Sequence, residues 1–193
     1  MTSETALPQA LQDVFATSDQ PEDVFAALLP AICTILQTDR CFLHLRNPHT
    51  RMFQNLCWRR SPDLPDTSTN GWKPEIEWER EDPMFAAALR TDPPIFVEDI
   101  ETASPDVLNV NFEREHMGHR ALIHAHVAED GLLWAILQPC IFGHPRQWSQ
   151  FDRTVISQVL EALKPLVLRY VQDSEVDSEP PKLTPTIGLV QRL

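Results

Sequence analysis

Four histidines lie within eleven residues of this sequence: His116, His119, His124 and His126. The last two fall in a segment with the pattern of a β-strand, and side chains two residues apart on a strand leave the same face. Imidazole nitrogens bind metal ions, contact haem or another tetrapyrrole axially, or form structural hydrogen bonds. No carboxylate or thiol is obviously paired with the four, so we predict no metal site and favour structural hydrogen bonds over a tetrapyrrole contact.

Aromatic residues precede these histidines. Trp58, Trp72 and Trp78, with Phe85, lie in or near a loop rich in Pro, Ser, Thr, Asp and Gly. Aromatic rings there hold a planar ligand, form the centre of a protein interface, or pack the loop onto the core. If a pocket is present, the residues that we predict to line it are His116, His119, His124, His126, Trp72, Trp78 and Phe85.

A run of acidic residues follows the loop: Glu75, Glu77, Glu79, Glu81 and Asp82. Its charges alternate around Ile76 and Trp78, as on an edge strand with one solvated face. Charged edge strands discourage edge-to-edge aggregation. We therefore predict a solvated face for this run rather than a metal site or a site for a basic partner.

Catalysis finds little support in the sequence. The five glycines are scattered, so neither a P-loop nor a GxGxxG motif fits. No serine or cysteine lies in a nucleophile-elbow motif beside a base. We predict no catalytic residues and a protein that is not an enzyme.

The net charge limits the kinds of partner that the protein can bind. Of 193 residues, 28 are acidic and 16 are basic, which gives a net charge of −12. Nucleic-acid binding needs a basic surface, and anionic membrane surfaces attract basic segments, so we predict neither partner. No run reaches the ~18 to 20 apolar residues that a membrane helix needs. The cysteines show no CxxC spacing, and the N-terminus lacks signal-peptide features, so we predict reduced thiols in a cytoplasmic protein.

Hydrophobic periodicity and turn residues predict the elements that position these side chains. We expect helices over 7–16 and 21–38, strands over 41–46 and 52–60, a loop over 61–74, a short strand or extended piece over 75–78, a helix over 83–90, a strand over 94–99, a partly helical connection over 100–118, and a closing helix over 150–172. Between the last two we predict a second hairpin, because Asp130-Gly131 separates two apolar runs and such pairs adopt positive φ. This order predicts an α+β fold.

The predicted domain limits follow from composition. We predict an N-terminal helical extension over 1–20, one domain over 21–172, and an acidic, proline-rich flexible tail over 173–193. The tail is either a solubilising end or a tether for a short docking segment.

Three segments together resemble GAF domains of the phytochrome and cyanobacteriochrome kind. They are TDRCFLHLRNP (38–48), EDPMFAAALRTDPPIFVEDI (81–100) and HRALIHAHVAEDGLLWAILQPCIFGHPRQWSQFDR (119–153). The resemblance extends from about residue 22 to residue 172. It implies a central antiparallel sheet with terminal helices on one face and pocket-forming loops on the other.

The sequence departs from bilin-binding GAF domains at one point. In those domains a Cys-His pair lies shortly ahead of the second hairpin, and its cysteine holds the bilin. The segment here, NVNFEREHMGHRA (109–121), has two histidines and no cysteine. We therefore predict no covalent bilin. The GAF type that reduces free methionine sulfoxide uses cysteines in the pocket loops, and 61–118 contains none, so we exclude that activity.

The resemblance implies a regulatory role. We predict a stand-alone GAF-like regulatory or protein-interaction module with an unidentified protein partner and no resident cofactor. The alternative is a sensor that binds a tetrapyrrole or another small molecule non-covalently in the pocket. The closing helix carries a wide apolar stripe, which predicts a homodimer through 150–172.

Overall fold

A computed structural model describes residues 6–176 of the chain. These residues form five α-helices: α1 Gln9–Ala16, α2 Pro21–Leu36, α3 Pro83–Leu89, α4 Val110–Phe112 and α5 Gln150–Val176. They also form six strands: β1 Arg40–Asn47, β2 Met52–Arg59, β3 Lys73–Pro74, β4 Ile95–Val97, β5 Ala121–Glu129 and β6 Leu132–Ile141. A 3₁₀ turn at Trp78–Arg80 precedes α3, and a π-helical turn at Glu113–Met117 follows α4.

The strands form one antiparallel sheet in the order β3-β2-β1-β6-β5-β4. In the central strand β1, Leu43 lies opposite Leu56 of β2 and Leu137 of β6. Because successive side chains of a strand point to opposite faces of the sheet, Leu43 faces one side and His44 faces the other. The Leu43 face packs against α2 and α5 to form the main hydrophobic core. This arrangement confirms the predicted GAF-like α+β fold.

Local sequence signals placed most elements correctly. Both hairpins, α3 and the closing helix occur where they were predicted. Helix α2 ends two residues earlier than predicted, because Gln37 takes a left-handed φ of 54° and closes the last turn. Helix α5 continues to Val176, so the limit predicted at residue 173 falls inside this helix. The rest of the predicted tail, 177–193, lies outside the described residues.

Glu75 contradicts the prediction of a solvated acidic strand. The sheet takes up Lys73–Pro74 rather than 75–78, and the side chain of Glu75 is only 1% exposed. Its carboxylate accepts hydrogen bonds from Arg46 Nε at 2.7 Å and from Arg51 Nε at 2.9 Å. Two guanidinium partners satisfy a carboxylate that burial would otherwise leave without water.

Most of the apolar stripe of α5 is used within the chain. Val155, Ile156, Val159, Leu163 and Val167 are buried against the sheet and α2. Dimerisation through this helix stays a prediction.

Among the helices within residues 6–176, none is long and apolar enough to cross a membrane.

The β5–β6 turn offers a clean test of backbone conformation. Asp130 and Gly131 have φ of 52° and 71°, and the space around a Cβ on Gly131 is open. We expect Gly131→Ala to lower the free energy of unfolding by about 1 kcal/mol through backbone strain alone. Asp130→Gly is the matched control: it relieves a left-handed aspartate and should not destabilise the turn. Urea unfolding measures both, and an equal loss in the two variants would contradict this account.

Candidate functional site

A cavity of about 320 Å³ lies over the sheet face opposite α2 and α5. Strands β1, β2, β5 and β6 form its bottom. The loop between β2 and β3, the 3₁₀ turn, α3 and the π-helical turn enclose it. The predicted placement of helices on one face and pocket-forming loops on the other agrees with this position.

Polar side chains from four neighbouring strands form the cavity floor: Asn55, His44, Gln138 and His124. His44 pairs with Asn55 across β1 and β2, and Phe42 pairs with Gln138 across β1 and β6. The pairing of Leu122 with Cys140 places His124 opposite Gln138 in the same register. A row of hydrogen-bonding groups therefore crosses the sheet beneath the cavity.

His44 offers a bare acceptor nitrogen. Its Nδ1 lies 2.8 Å from Oδ1 of Asn55, which can only accept, so the proton is assigned to Nδ1. Burial lowers the pKa of His44 to about 4, so the ring is neutral at pH 7 and Nε2 is an acceptor. Nε2 is buried and has no partner among the described residues.

His124 and His126 are linked to each other. His126 Nδ1 lies 2.6 Å from the carbonyl oxygen of Asp92, so Nδ1 donates and Nε2 is left to accept. His124 Nδ1 lies 2.8 Å from His126 Nε2 and donates to it. Burial lowers the pKa of both rings, which keeps them neutral. His124 therefore keeps Nε2 as an acceptor.

Aromatic rings make up much of the remaining cavity surface: Phe42, Phe53, Trp78, Phe85 and Phe112. The centroid of the Phe53 ring lies 5.0 Å from that of His44, with the two rings stacked. Trp78 and Phe85 meet edge to face at 5.7 Å. Such walls fit a planar group.

Three carboxyl groups line the cavity: Asp66, Asp82 and Glu113. Asp82 caps α3 by accepting from the backbone N–H groups of Met84 and Phe85. Burial, with repulsion from Glu113, raises the pKa of Asp82 to about 6. Glu113 forms an ion pair with His119, whose Nε2 lies 2.6 Å from Oε2.

The neighbours of His119 raise its pKa. Burial on its own lowers the pKa of this ring, but hydrogen bonding with Cys140 and Glu113 outweighs burial and raises the pKa to about 9. Nε2 of the ring donates to Glu113, and Nδ1 lies 3.4 Å from Nη2 of Arg40.

Removal of this pairing has a measurable cost. The folded pKa of His119 exceeds its ordinary value of 6.5, so the stabilisation is full below pH 6.5 and is lost as the pH rises through 9. We expect Glu113→Gln to lower the free energy of unfolding by about 2 kcal/mol at pH 7. The raised pKa of His119 is worth ~1.4 kcal/mol per pKa unit, but the variant keeps the part that Cys140 contributes, and the relief of Asp82 offsets a further part.

The exposed Glu115, on the same turn, supplies the matched control Glu115→Gln. Urea unfolding at pH 7 and pH 10 should show a loss for the Glu113 variant that shrinks at the higher pH. An equal loss at both values would contradict the ion-pair account.

Of the seven predicted site residues, four line the cavity and three do not. His116, His124, Trp78 and Phe85 line the cavity, with His116 exposed at its edge. His119 does not line it and contacts Glu113 from behind.

His126 and Trp72 also lie away from the cavity. His126 reaches a separate cleft beside Phe96 and Arg153. Trp72 packs on the helical side, where its ring stacks on Tyr170 at 6.2 Å. Tyr170 in turn donates to Oε1 of Gln54 at 2.9 Å.

Sequence reasoning missed His44, Gln138 and Glu113. A signal for His44 was present, because it alternates with Leu43 and Leu45 and so must face away from the helices. Gln138 interrupts an apolar strand, which is a comparable signal. Glu113 had none, since its partner His119 lies on a different element.

Cysteine and metal chemistry are not evident at this site. None of the residues that line the cavity is a cysteine. Within residues 6–176, no group of three His, Cys, Asp or Glu side chains is arranged to hold a metal ion.

Comparison with known proteins agrees with this geometry. The family model described as "GAF domain" matches residues 20–163. The chain belongs to the GAF domain family. A search of characterised protein sequences found no match.

Solved GAF domains share the fold. A phycoerythrobilin-bound GAF domain from a cyanobacterial phytochrome has a TM-score of 0.66 at 15% identity, covering 86% of this chain and 96% of that one. The GAF domain of an Acinetobacter phosphoenolpyruvate-protein phosphotransferase has a TM-score of 0.64 at 9% identity, covering 86% and 96%. The GAF domain of the cyanobacteriochrome TePixJ has a TM-score of 0.60 at 15% identity, covering 82% and 95%. At these identities the likeness concerns the fold alone.

Proposed function

We propose that this chain is a sensory GAF domain that binds a small molecule non-covalently in the cavity over the sheet. In this proposal it passes the state of the cavity to another protein and catalyses no reaction. GAF domains are commonly sensory or regulatory, which supports the broad class.

One observation carries the proposal. Three residues that line the cavity each carry a buried polar atom with no partner among the described residues: His44 Nε2, Gln138 Nε2 and Thr67 Oγ1. An unpartnered buried polar atom costs about 1–3 kcal/mol, and native proteins keep few of them. A molecule in the cavity supplies the missing partners.

The cavity surface also supports non-covalent binding. Because no lining residue is a cysteine, we infer that a bilin, if it binds, is not held by a thioether at this site. The four cysteines are free, which is typical of a reducing compartment such as the cytoplasm.

The proposal is tested with a variant that fills the cavity. Ile136 lines the cavity, and Ile136→Trp should occupy the space of the ligand. Leu132→Trp, on the same strand but 37% exposed, is the matched control. Native mass spectrometry of the purified wild type should show an added mass that is lost under denaturing conditions. Leu132→Trp should keep the added mass and Ile136→Trp should lose it.

An empty protein needs a second measurement. If the wild type carries no added mass, low-molecular-weight extract from the producing cells should still raise its unfolding temperature by mass action. Neither an added mass nor such a rise would contradict the proposal.

A protein-interaction module is the second candidate function. Phe151, in the first turn of α5, is 47% exposed and Ile76 is 56% exposed. Sedimentation of the wild type and of Phe151→Ser tests the proposed homodimer through α5. A monomeric wild type at micromolar concentration would contradict it.

A further inference from the structure

We propose that the cavity selects an uncharged, planar heteroaromatic molecule that brings its own N–H donor, and that it rejects anions. This inference rests on the proposed function and narrows its ligand. Tetrapyrroles that carry propionate groups, and nucleotides that carry phosphates, fall in the rejected class.

The size and walls of the cavity favour a small flat molecule. At about 320 Å³ the cavity lies at the lower end of the usual ~300–1,000 Å³ for ligand pockets. The stacked rings of His44 and Phe53, with Trp78 tilted against Phe53 at 5.6 Å, form an aromatic corner at one end. Offset stacking and edge-to-face contacts with such a corner favour another aromatic ring.

The unpartnered atoms define the hydrogen bonds that the ligand must make. His44 Nε2 is an acceptor, so the ligand must donate to it. Gln138 Nε2 is a donor, so the ligand must also accept. His44 and Gln138 are diagonal neighbours on adjacent strands, about 7–8 Å apart at the backbone and within reach of one ring system. Heteroaromatic rings with one N–H and one bare ring nitrogen carry both functions.

The charges around the cavity oppose an anion. The lining contains carboxyl groups, and it contains neither lysine nor arginine. His116, at the exposed edge of the cavity, stacks on Phe112 at 4.5 Å. An anionic group taken into this cavity would lose its hydration without gaining a cation.

Nearby cations are already engaged. Arg59 pairs with Asp66 at 3.0 Å, and His119 pairs with Glu113 at 2.6 Å. The buried Arg40 donates from Nη1 to the carbonyl oxygen of Pro65 at 3.0 Å. Recruiting Arg59 or His119 would break an existing ion pair, and Arg40 is not among the residues that line the cavity.

Matched probes separate these requirements. Isothermal titration calorimetry of the full chain at pH 7.5 would compare benzimidazole-5-carboxamide with benzimidazole-5-carboxylate, which differ in charge and little in shape. We expect the carboxylate to bind at least tenfold more weakly. 1-Methylbenzimidazole, which lacks the N–H donor, should bind at least tenfold more weakly than benzimidazole.

Two variants assign the hydrogen bonds. His44→Phe keeps a ring beside Phe53 and removes the acceptor, so benzimidazole and its methyl derivative should bind it alike. Gln138→Met removes the donor and should weaken benzimidazole about tenfold, the usual effect of losing one buried hydrogen bond. Thermal unfolding verifies that each variant is folded, and Gln138→Met serves alone if His44→Phe is not.

The outcomes separate the two proposals. Haemin or biliverdin binding in preference to the uncharged probes would overturn the charge inference and leave the cavity as a ligand site. Equal binding of the carboxylate and the carboxamide would do the same. If neither the benzimidazoles nor the tetrapyrroles bind, the inference is overturned, while the proposed function is judged separately from the native mass and the extract.

Discussion

Replacing Glu75 by alanine is expected to lower the free energy of unfolding by about 3–5 kcal/mol, the usual cost of removing one partner from a buried ion pair. Arg46, whose side chain is 9% exposed, would lose its bidentate partner and stay buried as an uncompensated cation. Arg51 would lose its bond to the same carboxylate, but its side chain is 48% exposed and water replaces that partner.

Glu77→Ala is the matched control for this experiment. Glu77 lies two residues further along, and its side chain is 48% exposed in a pair with Arg80. Surface pairs of this kind contribute about 0–1 kcal/mol. Urea unfolding of both variants at pH 7 would contradict the account if the two losses were alike.

The same pair predicts a dependence on pH. Burial on its own raises the pKa of Glu75, but hydrogen bonds from Arg46 and Arg51 outweigh it, and the pKa lies below its ordinary value of 4.5. The stabilisation is therefore present above about pH 4.5 and is lost as the pH falls through the lowered value. We expect the difference between wild type and Glu75→Ala to shrink in acid.

Low pH is also expected to remove the contribution that neutral His44 makes to the free energy of unfolding. Its folded pKa is about 4, below the ordinary value of 6.5, so the unfolded chain takes up a proton first. Stability from this group is present above pH 6.5 and is lost as the pH falls towards 4. The loss amounts to about 3 kcal/mol at pH 4, at ~1.4 kcal/mol per pKa unit.

Asp82 has the opposite effect on the free energy of unfolding over the same pH range. Its folded pKa of about 6 exceeds the ordinary 3.8, so the folded state gains a proton as the pH falls from 7 to 4. The total pH profile is consequently flatter than either contribution. The stability of wild type minus that of His44→Phe isolates the histidine and should fall by about 3 kcal/mol between pH 7 and pH 4. An NMR titration of the His44 ring near pH 6.5 would contradict the prediction.

Local signals explain which parts of the fold were predictable. Asp130-Gly131 predicts a hairpin because few residues adopt positive φ. Asp82 before Pro83 predicts the start of a helix, and all the residues that form this signal lie within four positions of one another. Glu75 was misjudged because Arg46, its main partner, lies 29 residues away. Alternating acidic residues predict a solvated strand only if no cation from a distant part of the sequence contacts their carboxylates.

The candidate site was predictable only in part for a related reason. His116 and His124 line the cavity, but His119 lies between them in the sequence and behind the wall in space. The chain passes there from a π-helical turn into β5, and the change of period from helix to strand redirects each side chain. The floor residues His44 and Gln138 meet only through the β1–β6 register, which no local pattern encodes.

The loop between β2 and β3 touches both faces of the sheet. Thr67 and Thr69 line the cavity, while Trp72 stacks on Tyr170 of α5 beyond the sheet edge. Thr69 is pinned between these ends by backbone contact with Asn55, its N–H donating to the Asn55 carbonyl oxygen at 3.0 Å. The loop is thus fixed at the edge of β2 between its two ends. One short stretch of backbone therefore connects the wall of the cavity with the closing helix on the other face of the sheet.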